Sequence, residues 1–246
     1  MNMGEPLRLA MWSGPRNIST AMMRSWGNRP DTIVCDEPFY AHYLAVTKRR
    51  HPGADAVIAY GPVDADEAVR RLLAPLPEGN SIFFQKHMVH HLLPDIDRDW
   101  LTKVKHCFLI RDPLEVIASF VKHVEDPSME DLGYVYEARL FEEIIRLTGE
   151  FPPVVHAADV LINPRGVLTK LCERLGVPFM EEMLHWPPGL RATDGVWAKY
   201  WYKEVESSTG FHEYQVKSID LPPHLQTLAS ACDQFYKHLF QYRIQA

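Results

Sequence analysis

Residues 7–20 read Leu-Arg-Leu-Ala-Met-Trp-Ser-Gly-Pro-Arg-Asn-Ile-Ser-Thr. An apolar run of strand character stops at Ser13-Gly14-Pro15 and passes into the opening of a helix. A strand that turns this sharply into a helix commits the chain to a β–α unit, and the turn has a chemistry of its own. The first N–H groups of a helix lack partners within it and carry the positive end of its dipole. Arg16 adds a fixed cation whose fork matches phosphate or sulfate oxygens. Ser19 and Thr20 add hydroxyl donors. The expected product is an anion-binding turn near the start of the sequence.

The alternation continues. Strands are predicted at Leu7–Trp12, Thr32–Cys35, Ser81–Gln85, Val104–Ile110 and Pro153–His156. Helices are predicted at Asn17–Asn28, Asp64–Ala74, Pro113–His123, Glu130–Thr148, Pro164–Leu175 and Pro223–Arg243. Strands separated by helices give an α/β fold, a parallel sheet covered on both faces. Local punctuation agrees: Asn163 caps a helix that opens on Pro164, and Gly176 with Pro178 ends it. From Trp186 to Leu221 no period is visible, and the segment reads as a long ordered loop or lid.

Parallel sheets bind ligands beyond the carboxyl ends of their strands. Four strand ends here carry Arg16, then Asp36 and Glu37, then Lys86 and His87, then Arg111 and Asp112. Such a set points to an enzyme that handles anions. Ser119 lies roughly two turns into the helix that follows Arg111. Arg and Ser so placed can clamp one phosphate from two sides.

Composition narrows the setting. The 246 residues carry a net charge of −6 and are 46% hydrophobic, enough for a core that needs no disulfide or metal. The acidic balance argues against a dedicated nucleic-acid binder and leaves room for a local basic pocket. Cys35, Cys107, Cys172 and Cys232 form no CxxC pair, and three lie in apolar runs where a reduced, buried thiol is expected. No basic segment leading into an apolar stretch opens the sequence, and no run approaches the roughly 18 apolar residues of a membrane span. A cytoplasmic protein is the expectation.

Three motifs carry a family resemblance. Arg111-Asp112-Pro113, then five residues, then Ser119 resembles the 3′-phosphate motif of sulfotransferases that use 3′-phosphoadenosine 5′-phosphosulfate (PAPS). Pro15-Arg16-Asn17-Ile18-Ser19-Thr20 resembles their 5′-phosphosulfate loop, Pro-Lys/Arg-Ser-Gly-Thr/Ser-Thr. Ala158–Pro164, running on to Leu175-Gly176-Val177-Pro178-Phe179, resembles their Tyr-Glu-Asp-Leu…Pro…Leu-Gly-Leu-Pro-Phe segment. Order and spacing agree across residues 7–180. In tyrosylprotein-type members a catalytic Glu follows the second strand and a catalytic Lys the next core strand, and Glu37 and Lys86 stand at those places.

The resemblance implies a three-layer α/β/α fold of the P-loop-containing nucleoside triphosphate hydrolase type, with residues 1–246 as a single domain and 185–221 as a long loop or lid. It implies sulfuryl transfer from PAPS to a hydroxyl or amine of a small-molecule acceptor, with 3′,5′-adenosine bisphosphate as product and no metal. Glu37 would take the acceptor proton, with Asp36 as its rival. Arg16 and Lys86 would stabilise charge on the sulfuryl and bridging oxygens. Pro15, Arg16, Asn17, Ser19 and Thr20 would hold the 5′-phosphosulfate, and Arg111 and Ser119 the 3′-phosphate. Lys199, Lys203 and Lys217 are candidates for a later basic contact. The sequence departs from the pattern at Asn17, in place of Ser, and at Ile18, in place of a glycine that reaches positive φ cheaply.

Other readings stay open. His87, His90 and His91 could share a helical face near Lys86 as an acceptor-pocket wall, a base or a metal site. Trp197, Tyr200, Trp201 and Tyr202 suit core or lid packing, or the cover of an apolar or aromatic acceptor. One rival function is a P-loop phosphotransferase, although GxxxxGK[ST] is absent. The other is a noncatalytic nucleotide-binding protein on the same scaffold.

Overall fold

The computed structural model describes residues 6–216 and 218–246. Strands β1 (Leu7–Ser13), β2 (Thr32–Asp36), β3 (Ile82–Met88), β4 (Lys105–Ile110) and β5 (Val154–His156) pair in parallel in the spatial order β2-β3-β1-β4-β5. In chain order the helices are α1 (Ser19–Gly27), α2 (Tyr40–Thr47), α3 (Ala54–Tyr60), α4 (Ala65–Leu73), α5 (Pro113–Phe120) and α6 (Met129–Leu132). They continue with α7 (Tyr134–Thr148), α8 (Ala157–Ile162), α9 (Pro164–Leu175), α10 (Ala198–Trp201), α11 (Lys203–Glu206) and α12 (Pro223–Phe240).

Strand residues alternate between two faces, and the core divides accordingly. Leu9 and Met11 of β1, Phe84 of β3, and Cys107 and Leu109 of β4 pack against α1, α2, α3, α8 and α9. Ala10 and Trp12, Phe108 and Ile110 face the other way, onto α4, α5, α7 and α12. The strands are apolar on both faces because both are covered, which gives the three layers expected of an α/β fold.

The sheet order places the site. From β1 the chain enters α1 on one face, and from β4, its neighbour, it enters α5 on the other. Adjacent strands whose following helices part to opposite faces leave a crevice between their carboxyl ends.

Two expectations about helices need correction. Glu130–Thr148 is not one helix. It breaks at Gly133 (φ 83°), which ends α6 and opens α7. The break presses α6 onto the β1 turn so closely that a Cβ on Gly14 would lie 2.5 Å from the Leu132 carbonyl oxygen. Helices α2, α3, α8, α10 and α11 were not foreseen: each is short, and none of their N-cap residues makes a side-chain capping bond.

Candidate active site

The carboxyl ends of β1 to β4 open into a cavity of about 960 Å³. Its wall includes Pro15, Arg16, Asn17, Ser19, Thr20, Glu37, Lys86, Arg111 and Ser119, which the sequence nominated for donor binding and catalysis.

At one end the β1 turn curls around the opening of α1. Arg16 (φ 60°) and Ile18 (φ 57°) both adopt the left-handed conformation. The β-branched Ile18 thus takes the shape that glycine would take, at a cost of about 1–3 kcal/mol for a non-glycine residue. Ile18 caps α1 with no side-chain bond, and its carbonyl accepts only from Met22 N. The N–H groups of Ser19, Thr20 and Ala21 have no partner within the helix, and all three residues line the cavity. Asn17 explains its own departure from Ser: its Nδ2 donates to the Leu109 carbonyl (3.0 Å), tying the turn to β4. Asn17 Oδ1 is buried without a partner.

From the neighbouring crevice wall, Arg16 Nε donates to Ser119 Oγ (2.9 Å), and Arg111 Nη1 donates to the Arg16 carbonyl (2.8 Å). Arg111 Nε donates to Glu115 Oε2 (2.8 Å), and Tyr214 OH donates to Glu115 Oε1 (2.7 Å). Arg111 Nη2 takes no protein partner among the described residues. Burial draws Arg16 below its ordinary pKa, with Arg111 pulling the same way against Glu204. Two arginines, a serine hydroxyl and a helix N-terminus thus converge where an anion with several oxygens would satisfy them.

The other end is built from register. Lys86 is paired with Met11 on one side and Asp36 on the other, so Lys86 and Asp36 lie side by side on one face of the sheet. Lys86 Nζ donates to Asp36 Oδ1 (2.8 Å), to Glu37 Oε1 (2.5 Å) and to Tyr202 OH (2.9 Å). Glu37 leaves β2 in a left-handed conformation (φ 46°) while its N–H still bonds to the Lys86 carbonyl (2.9 Å). Burial alone would lower Lys86, but the two carboxylates more than offset it and hold the ammonium well above its usual value. Burial pushes the Glu37 carboxyl up, Lys86 opposes without cancelling, and Asp36 adds to the rise. A carboxylate moved toward neutrality at a cavity wall is suited to proton transfer.

The three histidines do not share a face. His87 follows Lys86 on a strand, so it points to the opposite side of the sheet and stacks on Trp12 at 4.3 Å. His90 and His91 lie on a 3₁₀ turn and line the cavity, where His91 stacks on Tyr40 (4.6 Å) and packs on Tyr43. Burial drives His91 well below its ordinary pKa and His90 down to about 3, so this wall is neutral. Among the described residues no group of three or more His, Cys, Asp or Glu is placed to hold a metal ion.

Lys199 and Lys203 stay outside the cavity wall, and Lys122 lines it instead. Lys217 lies outside the described residues. The segment after Trp186 packs down, with Trp186, Trp197 and Tyr202 buried. Sequence reasoning left Tyr202 among packing aromatics, and no local pattern marks its bond to Asp36. Glu115 was findable, as a carboxylate four residues after Arg111 at the opening of a helix.

Comparison with known proteins follows the same outline. A family model described as Sulfotransferase domain matches residues 7–239. The chain is 35% identical over 210 residues to the branched-chain-amino-acid aminotransferase-like protein 1 of Arabidopsis thaliana, a match that covers 85% of this chain and 37% of that protein. The chain thus spans well under half the length of that curated relative. A sulfotransferase from Alicyclobacillus acidocaldarius superposes with a TM-score of 0.56 at 12% identity, covering 97% of each chain. The sulfotransferase domain from the curacin biosynthetic pathway gives 0.52 at 17%, covering 98% of this chain and 99% of that one. At these identities the two structures speak to the fold alone. They support the three-layer architecture with its central parallel sheet. No helix among the described residues is long and apolar enough to cross a membrane.

Proposed function

The chain belongs to the sulfotransferase-domain family, and from that premise we propose that it moves a sulfuryl group from PAPS to a hydroxyl or amine of a small-molecule acceptor. One observation carries the reading. A cavity with a multidentate anion clamp at one end has a buried ammonium beside a raised carboxylate at the other. The residues present fit the donor: Arg111 Nη2 lacks a protein partner among the described residues, and Ser19, Thr20 and Ala21, whose N–H groups find no partner within α1, line the same space.

In this reading Ser19, Thr20 and the α1 amides hold the 5′-phosphate, and Arg111 with Ser119 holds the 3′-phosphate and so selects PAPS over ATP. Arg16 and Lys86 face charge that grows on the sulfuryl and bridging oxygens. Preorganised cations of this kind account for most of the catalysis in related group transfers. Bound PAPS supplies an activated sulfuryl group, whose S–O bond to the 5′-phosphate breaks as the acceptor atom bonds to sulfur. Glu37 takes the acceptor proton. Between the two neighbouring carboxylates, geometry favours Glu37. It lines the cavity, whereas both Asp36 oxygens are occupied, Oδ1 by Lys86 and Oδ2 by Tyr202 OH and Gly195 N.

The test is calorimetric titration with 3′,5′-adenosine bisphosphate, AMP and ATP with magnesium, on the wild type and Arg111→Ala. Binding that depends on the 3′-phosphate and on Arg111 is expected, followed by transfer from PAPS in an acceptor screen. Preference for ATP with magnesium would replace this reading with a phosphotransferase. Tight bisphosphate binding with no transfer across the screen would favour a noncatalytic binder.

A further inference from the structure

Lys86 has three N–H donors, and the structure spends all three, on Asp36, Glu37 and Tyr202. An ammonium so committed has nothing to offer a transferring group until one bond is given up. The three partners differ in what they would lose. The side chains of Lys86 and Asp36 are 2% and 1% exposed, while that of Glu37 is 11% exposed and lines the cavity.

Asp36 has both carboxylate oxygens engaged. Its Oδ2 accepts from Tyr202 OH (2.6 Å) and from Gly195 N (3.2 Å). The Tyr202 hydroxyl in turn accepts from Trp197 Nε1 (3.2 Å). The segment that carries Gly195, Trp197 and Tyr202 is pinned to α1 by a buried ion pair, Arg24 to Asp194 (2.5 and 2.6 Å). Removing Lys86 from Asp36 would strand a carboxylate whose side chain is almost wholly buried. Glu37 has less to lose. Its second oxygen lies 3.8 Å from His91 Nδ1, beyond hydrogen-bond reach, and its backbone is already held in the left-handed region.

We propose that Asp36 and Tyr202 are positioning residues that grip Lys86 by two of its three N–H groups, so that the third passes from Glu37 to the sulfuryl group when the donor binds. The inference rests on the donor reading above. Glu37 becomes a free base only with the donor in place, and proton removal from the acceptor is thereby tied to donor occupancy. The groups that face Glu37 are Lys86 from β3, Asp36 from β2, Tyr40 from α2, His91 from the 3₁₀ turn and Tyr202 from the pinned segment.

The test is a ¹³C-carboxyl NMR titration of Glu37 in the full chain, assigned by the signal lost in Glu37→Gln. Three states are compared: free, saturated with 3′,5′-adenosine bisphosphate, and saturated with PAPS. Lys86 opposes the rise of the Glu37 pKa, so its departure raises that pKa further. The bisphosphate, which has no sulfuryl group, is expected to leave the midpoint in place, and PAPS to raise it by about one unit, tenfold in proton affinity. In Tyr202→Phe a Lys86 N–H is already spare, so the rise should fall to less than half while bisphosphate affinity holds. No rise with PAPS, or an equal rise in Tyr202→Phe, overturns the proposal. Should that variant not fold, the Lys86 ¹⁵Nζ resonance of the wild type decides: movement with PAPS and not with bisphosphate supports the exchange, and equal movement refutes it. Failure to bind bisphosphate at all overturns the donor reading itself, a result distinct from binding that leaves Glu37 unmoved.

Discussion

At the donor end of the cavity Arg16, Arg111 and Glu115 keep 17%, 23% and 18% of their side chains exposed. At the transfer end Lys86 and Asp36 are sealed. The donor end is a set of donors on two strand exits, brought together by sheet order and partly wetted. The transfer end is a buried charge cluster that a distant segment has to close. In the first region each contact is a modest increment. In the second, removing one member exposes the unmet cost of another.

The largest effect expected from that difference is at Lys86. Lys86→Ala leaves Asp36 and Glu37 buried without their cation, and should cost about 3–5 kcal/mol of stability together with nearly all transfer. Glu37→Gln keeps the Lys86 contact to Asp36 and should lose about 10²–10⁴-fold in transfer rate with little change in unfolding. Urea unfolding and single-turnover assays separate the two. If Lys86→Ala is as stable as the wild type, the contrast between the ends fails.

Arg111→Ala probes the other end. A charge-assisted hydrogen bond is worth about 1.5–3 kcal/mol, so bisphosphate affinity should drop roughly 10- to 100-fold, while stability stays within about 1 kcal/mol of the wild type. Loss of stability on the scale of Lys86→Ala would show that the donor end is as dependent on buried charge as the transfer end.

This division also explains what was legible. The donor end could be read because strand exits are marked by local chemistry: an apolar run, a Gly-Pro turn, an arginine, a helix opening on Pro113. Lys86 and Glu37 were readable on the same grounds. Tyr202 was not, because its bond to Asp36 spans 166 residues and comes from a segment with no hydrophobic period. His87 was misplaced by giving helical spacing to residues that begin on a strand. One step of register sends it to the Trp12 side. The break at Gly133 was hidden because both flanks read as helix, although the left-handed Gly133 marks it and the packing of α6 on Gly14 accompanies it.

Buried histidines also tie the stability of the fold to pH. His91 sits well below its ordinary value through burial, His90 at about 3, and His106, whose Nδ1 accepts from Trp12 Nε1 and whose Nε2 donates to the Leu101 carbonyl, at about 4. The unfolded chain protonates these groups below about pH 6.5, while the native state keeps them neutral. Their contribution is complete above that pH and is lost as pH falls toward their folded values, by about 2 kcal/mol each for His90 and His106 at pH 5, with His91 adding in the same direction. Glu37, raised in the fold, works the other way as pH falls through its own value. Urea midpoints at pH 7 and 5 should therefore drop, and a flat profile would mean that these imidazoles are charged in the native state.

The smallest effect lies in the donor turn and turns on a sign. Ile18 holds φ 57° with a β-branched side chain that is partly packed against the α1 side of the core. Ile18→Ala keeps the Cβ that makes this conformation costly and loses the packing. Ile18→Gly loses the same packing and removes the Cβ penalty of about 1–2 kcal/mol, offset by about 0.5–1 kcal/mol of extra freedom in the unfolded chain. Glycine should therefore be the more stable of the two variants by up to about 1.5 kcal/mol, with bisphosphate affinity unchanged, because the backbone amides stay where they are. Calorimetric melting of the pair decides it. Alanine above glycine would mean that the turn relaxes out of the left-handed region once the Ile18 side chain is gone, and that packing holds the donor loop in its binding shape.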